Sequence, residues 1–207
     1  MARLSLNKSS LSHEQRQLRT FRQFLPALDL KRRQLIAERA KAQREVAERE
    51  QAIERLKGEI GRELPMAANR DVDLSRLVTI KVARIDQQNL VGVRLPVLSS
   101  VEFAVRPYSP LAKPHWVDRA ALCLQALLQE ALRLKIARRR LAILEKAVTT
   151  ITQRVNLFEK VLIPRAQANI KRIRIYLADA EREGVIRAKT AKAKTAARAA
   201  DVRAAEL

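Results

Sequence analysis

Apolar residues recur along the first sixty positions at alternating spacings of three and four. One seam position falls at Leu11, Leu18, Leu25, Arg32, Arg39, Val46, Ile53 and Ile60, the other at Glu14, Phe21, Leu28, Leu35, Ala42, Arg49 and Leu56. Eleven of these fifteen are apolar, whereas a chain that is 47% hydrophobic would fill about half by chance, so the heptad is genuine. It predicts an amphipathic helix whose stripe needs a partner helix, with Arg32, Arg39 and Arg49 as imperfections. Pro26 removes a backbone donor inside it and predicts a kink or a late helix start.

The same period returns late in the chain, at Leu134, Ala137, Leu141, Leu144, Val148, Ile151, Val155, Phe158 and Leu162. The seam then steps by four at Ala166 and Ile170 and resumes at Ile173, Leu177 and Ala180, a stutter with Pro164 inside it. At about 1.5 Å per residue, 11–60 would extend roughly 75 Å and 117–183 roughly 100 Å. Neither helix can bury its stripe alone, and antiparallel pairing with the middle segment as turn-around is the simplest solution.

The middle segment is patterned differently. Pro65, Pro96, Pro107, Pro110 and Pro114 fall in it, with Gly58, Gly61 and Gly92. Leu77 to Ile85 is β-branched and strand-like, Asp86 to Asn89 reads as a polar turn, and Val93 to Leu98 and Val101 to Val105 suggest more extended chain, with Pro96 implying an edge strand. The expected fold is therefore dominated by α-helix: a long antiparallel two-helix coiled coil with a small β-hairpin element at the turn-around, capping one end. The expected segments are 1–64 (first helix), 65–115 (turn-around), 116–184 (second helix) and 185–207. That last stretch, an Ala/Lys/Arg tail with little apolar seam, is expected to fray or stay disordered without a partner.

Composition agrees with long helices, since Ala, Leu, Arg, Lys, Glu and Gln dominate and only four glycines occur. The formal charge of +20 raises the question of nucleic acid or acidic lipid. Acids are interleaved with bases up to the tail, however, and no compact patch stands out. Arg138-Arg139-Arg140 lies just off the seam and is expected to point outward into solvent, with a partner or phosphate contact as the sharper alternative. Cys123, the single cysteine, is expected as a buried helical thiol, which suits a reducing cytoplasm. No signal peptide and no membrane-spanning run is read from the sequence.

The sequence offers no chemistry. There is no Gly-x-x-x-x-Gly-Lys-Ser/Thr loop to cradle phosphates, so nucleotide binding is not expected. His13 and His115 lack ligand partners at metal spacing, and His115 beside Trp116 marks the expected start of the second helix. Glu45, Glu48, Glu50, Glu54 and Glu59 read as solvated ion-pairing faces, with Glu45 four residues before Arg49. Neither an enzyme nor a cofactor or metal site is expected.

Three segments carry a resemblance. Leu28-Asp29-Leu30-Lys31-Arg32-Arg33-Gln34-Leu35, Gln88-Asn89-Leu90-Val91-Gly92-Val93-Arg94-Leu95-Pro96-Val97 and Arg154-Val155-Asn156-Leu157-Phe158-Glu159-Lys160-Val161-Leu162-Ile163-Pro164 resemble three stretches of the V-type ATPase D-subunit family. Glu181-Arg182-Glu183 and Arg187-x-Lys189 follow at the family's distance. Gln88 stands for a usual Glu, Phe158 for a usual Leu, and Gly184-Val185 interrupts a stretch normally more helical.

The resemblance implies a non-catalytic central rotor of a V-type ATP synthase or ATPase. Both termini would insert into the hexameric catalytic head, and the middle segment would face the membrane. Implied partners are the catalytic and non-catalytic nucleotide-binding subunits, a small central-stalk subunit and an adaptor of the membrane ring; nucleic acid is not among them. The location implied is the cytoplasmic face of the membrane, with membrane association only through the complex. Residues marked for partner contact by the matching motifs are Lys31, Arg32, Leu35, Asn89, Gly92, Arg154, Asn156, Glu159, Pro164, Arg187 and Lys189. The rival readings are a basic coiled-coil arm that binds RNA, which the charge would favour, and a peripheral-stalk scaffold.

Overall fold

A computed structural model of the chain describes residues 5–68, 72, 74–108 and 113–205, with backbone alone at Ala68 and over 197–205. The expected breaker Pro110 and the last two residues of the tail lie outside the described residues. Helix α1 spans Lys8–Glu63. Its start is set by Asn7, whose side-chain oxygen accepts the Ser10 backbone N–H at 2.7 Å, satisfying one of the donors that a first turn leaves unpaired. Pro65 ends it, leading into a 3-10 turn at Pro65–Ala68.

The late start expected at Pro26 is not found, because α1 runs through that proline. Pro26 and Arg22 are both exposed, so water can take up the Arg22 carbonyl that the missing donor leaves free. Elsewhere the seam behaves as its pattern dictates. Leu35, Ala42 and Ile53 are buried, and the arginines at seam positions are only half-buried.

Strands β1 (Val78–Leu90) and β2 (Val93–Val105) form an antiparallel hairpin, with irregularities between Ile80 and Val82 and between Arg84 and Ile85. The reversal is made by Val91 and Gly92, at φ 53° and 77°, the positive values that two-residue hairpin turns need to match strand twist. Asp86 to Asn89, expected as a polar turn, are thus strand residues paired with Val97 to Arg94. Pro96 sits opposite Gln87 in a sheet that has only edge strands. After Val78, β1 is exposed almost throughout, whereas β2 buries Leu95.

Helix α2 spans Trp116–Leu157, and α3 spans Ile163–Ala205. Between them Phe158–Leu162 makes one π-helical turn, in which the Ile163 N–H donates to the Phe158 carbonyl five residues back. This is where the heptad stutters. Val155, Ala166, Ile170 and Ile173 are all buried, so the wide turn and the four-residue steps keep these residues on the packed side of the helix. Pro164 falls just past the wide turn, where the regular ladder is already broken. The tail is helical: α3 continues through Gly184 to Ala205, with every residue from 178 to 196 exposed. Ala, Lys and Arg carry it, and one interior glycine costs only about 1 kcal/mol against alanine.

The chain divides into two compact units, 30–152 and 1–29 with 153–207. In the first, Glu63 pairs with Arg119 and Glu45 with Arg140, an antiparallel order of α1 and α2. An apolar cluster lies at the hairpin base, where Leu77 and Val78 pack with Val117 and Ala121 beside Phe103 and Trp116. In the second, Phe21 meets Phe158 and Glu14 meets Asn169, again antiparallel. Among the described residues no helix is long and apolar enough to cross a membrane.

Candidate functional site

The motif residues gather at three places. The first joins two segments far apart in sequence: an added Cβ at Gly92 would lie 3.1 Å from Lys31 Nζ, so the hairpin tip rests beside α1. The hairpin base is held by α2 at Val117 and Ala121, so the hairpin folds back along α1 instead of extending past the turn-around as a cap. Thirteen residues per strand at about 3.3 Å each give the reach this needs. Lys31 and Arg32 are half-buried, Leu35 is 1% exposed and Asn89 is exposed opposite Arg94.

The second place is the π-helical turn. Arg154, Glu159 and Pro164 are displayed at the surface to differing degrees and Asn156 is half-buried, so the side chains that carry the motif present mainly to solvent. Beneath them Val155 is 2% exposed and Phe158 sits edge to face on Phe21. Val155 and Phe158 hold the helix pair together, while Leu157 and Val161, each 48% exposed, are displayed with the polar members.

The third place is the tail. Arg187 pairs with Glu183 at 2.5 Å one turn back, both well exposed, and Lys189 is exposed. Such pairs contribute at most about 1 kcal/mol.

Sequence reasoning undervalued the charged seam positions. Arg49, an imperfection by its pattern, bridges Glu45 at 3.0 Å and Glu130 at 3.3 Å across the helix pair, all three side chains half-buried. The signal was present in Glu130, an acid on the facing helix, and required the antiparallel register to be read. Arg138 and Arg140, expected to point outward, reach back to α1: Arg138 pairs with Glu50 at 2.6 Å and Arg140 stands 3.6 Å from Glu45. Long guanidinium side chains beside a seam cover its flank while their heads find the opposite helix's acids. Arg39 Nε and Arg140 Nε are buried without a hydrogen-bond partner among the described residues.

At the hairpin base the Tyr108 hydroxyl donates to the Asp118 carboxylate in the first turn of α2. That hydrogen bond, with some desolvation and the carboxylate's charge, raises the phenol's pKa above its ordinary value.

Residues 10–193 match the family model for the ATP synthase D subunit. A curated relative, the V-type ATP synthase D subunit of Borreliella burgdorferi, is 32% identical over 192 residues, covering 93% of this chain and 95% of its own. Relatives of the same name from Chlamydia muridarum and Chlamydia pneumoniae are each 30% identical, over 198 and 197 residues. They cover 93% and 92% of this chain and 96% and 92% of their own.

Proposed function

This chain belongs to the ATP synthase D-subunit family, and from that premise we propose that it is the central rotor of a V-type ATP synthase or ATPase. In this reading it is non-catalytic. It couples ATP synthesis or hydrolysis in the nucleotide-binding head to proton or sodium translocation through the membrane ring. Its partners are the catalytic and non-catalytic head subunits, a small central-stalk subunit and the ring adaptor, on the cytoplasmic face of the membrane. Lys31, Arg32, Asn89, Gly92, Arg154, Asn156, Glu159, Pro164, Arg187 and Lys189 are the proposed partner-facing residues; Leu35, expected among them, is 1% exposed and serves the seam of the helix pair instead.

The observation that carries the reading is the paired-helix build of both units within a chain that matches the family almost end to end. A shaft needs stiffness along its length and different chemistry on its different faces. Antiparallel pairs tied by apolar seams and by cross-helix ion pairs such as Arg138 to Glu50 supply the first. Unequal faces supply the second: as the shaft turns, each catalytic pocket meets a different surface and its open and closed states are biased in turn, without the shaft touching ATP.

The test is affinity purification of the tagged chain from its native membrane at moderate salt. Co-purification of the nucleotide-binding and ring subunits in stoichiometric amounts is expected. Recovery of RNA in their place, lost steeply as salt rises, would replace the rotor with a nucleic-acid arm.

A further inference from the structure

In the unit built from 1–29 and 153–207, an open groove of about 640 Å³ runs between α1 and α3. One wall carries Arg19 and Arg22 below Gln15, the other Lys171 and Arg174 below Gln167. On each helix these three residues are spaced i, i+4, i+7, which places them on one face. The seam residues Leu18 and Ile170 line it between the walls, and Ile175 joins them at 54% exposure.

Among the described residues no carboxylate lines this groove. Arg19, Arg22, Lys171 and Arg174 have neither an ion pair nor a hydrogen bond among the described residues. This sets them apart from Arg49, Arg119 and Arg138, each of which meets an acid of the facing helix. Positive charge is therefore left unbalanced on both sides of an apolar strip, over one helical turn of each helix.

We propose that the groove receives an acidic amphipathic helix of a partner subunit, with apolar side chains on Leu18 and Ile175 and carboxylates directed to both basic walls. The inference rests on the rotor reading and names the face of the terminal unit by which the shaft meets its surroundings. Four cations, two on each wall of the strip, call for an occupant that carries several separated carboxylates rather than a single phosphate. An apolar strip without an aromatic platform suits a helix better than a nucleic-acid strand, whose bases would stack.

The test uses the full chain co-expressed with the head subunits of its own complex. Benzoylphenylalanine replaces Gln15 or Gln167 in the groove, or Gln17 or Arg165, which line a different pocket of the same unit. Crosslinks from the two groove positions to one Asp/Glu-rich helical segment are expected, and the quadruple variant R19E/R22E/K171E/R174E should weaken association with the head at least tenfold. The milder R19Q/R22Q, checked for helicity by circular dichroism, should weaken it severalfold with the same crosslinking partner. Assembly with the head but no groove crosslink, or crosslinks to a segment without acids or to RNA, overturns the groove assignment and leaves the rotor standing. Failure to assemble with the head at all overturns both.

Discussion

Phe21 and Phe158 meet edge to face, ring centroids 5.5 Å apart and planes at 84°, so a seam residue of α1 packs on the first residue of the π-helical turn. The contact ties the one irregular turn of the long C-terminal helices to a regular partner. A π turn widens the backbone and moves the following residues around the axis, and the aromatic pair fixes which side chain faces α1 at that point.

A double-mutant cycle of Phe21→Leu and Phe158→Leu should give a coupling of about 0.5–1.5 kcal/mol in urea unfolding, beyond the loss from each smaller side chain. Leucine keeps position 158 apolar and helix-compatible, so Phe158→Leu alone should still fold. Additive losses within error would mean that the two rings merely fill space.

At the hairpin tip, Val91 is a β-branched residue at φ 53°, a conformation that asparagine tolerates far better. Val91→Asn should stabilise the protein by about 1 kcal/mol. Gly92→Ala should cost a similar amount, because φ 77° strains any Cβ. Lys31→Met should not rescue Gly92→Ala, since the neighbour 3.1 Å away is the movable end of a side chain and the strain lies in the backbone. Thermal unfolding of the three single variants and the double decides each sign.

The seam of α1 was legible because period alone identifies it, and the stutter near Pro164 was legible for the same reason. Whether Pro26 would stop the helix was not, since that depends on Arg22 and Pro26 both facing water. The turn was misplaced to Asp86–Asn89 because polar composition stands in for a φ angle, and a valine at positive φ leaves no sequence mark. Arg49 looked like a defect until the register set Glu130 opposite it. The basic groove was hidden for a related reason: each wall is readable on its own helix, but their meeting depends on how α1 and α3 align.

Tyr108 should titrate late. Its phenol donates to the Asp118 carboxylate, which raises the folded-state pKa above the unfolded value near 10. The contribution to stability is therefore fully present below about pH 10 and is lost as pH rises through the folded pKa. Absorbance at 295 nm in a Tyr176→Phe background should show this delayed ionisation, and Asp118→Asn should move it down toward the ordinary range. An unchanged midpoint in Asp118→Asn would remove the carboxylate as the cause.

The C-terminal tail separates the rotor from a nucleic-acid arm. Residues 178 to 196 of α3 are exposed along the whole helix, so propensity accounts for the helix while no packing among the described residues accounts for its basic surface. If the tail turns inside a stator sleeve, its cations meet changing neighbours at every step, and no single charge can be held in a fixed deep pair. Exposed pairs of that kind contribute only about 0 to 1 kcal/mol. Neutralising Lys189, Lys192 or Lys194 singly should therefore leave turnover nearly unchanged. Deleting 185–207 removes the whole lever, and should loosen coupling between ATP hydrolysis and ion pumping while the head's own hydrolysis largely persists. An RNA-binding arm would respond the other way, losing affinity with each charge removed and about one unit of salt slope per phosphate contact. Hydrolysis and pumping measured side by side on the deletion give the answer: a fall in pumping with hydrolysis retained supports the rotor, and unchanged coupling with salt-sensitive RNA binding by the intact chain overturns it.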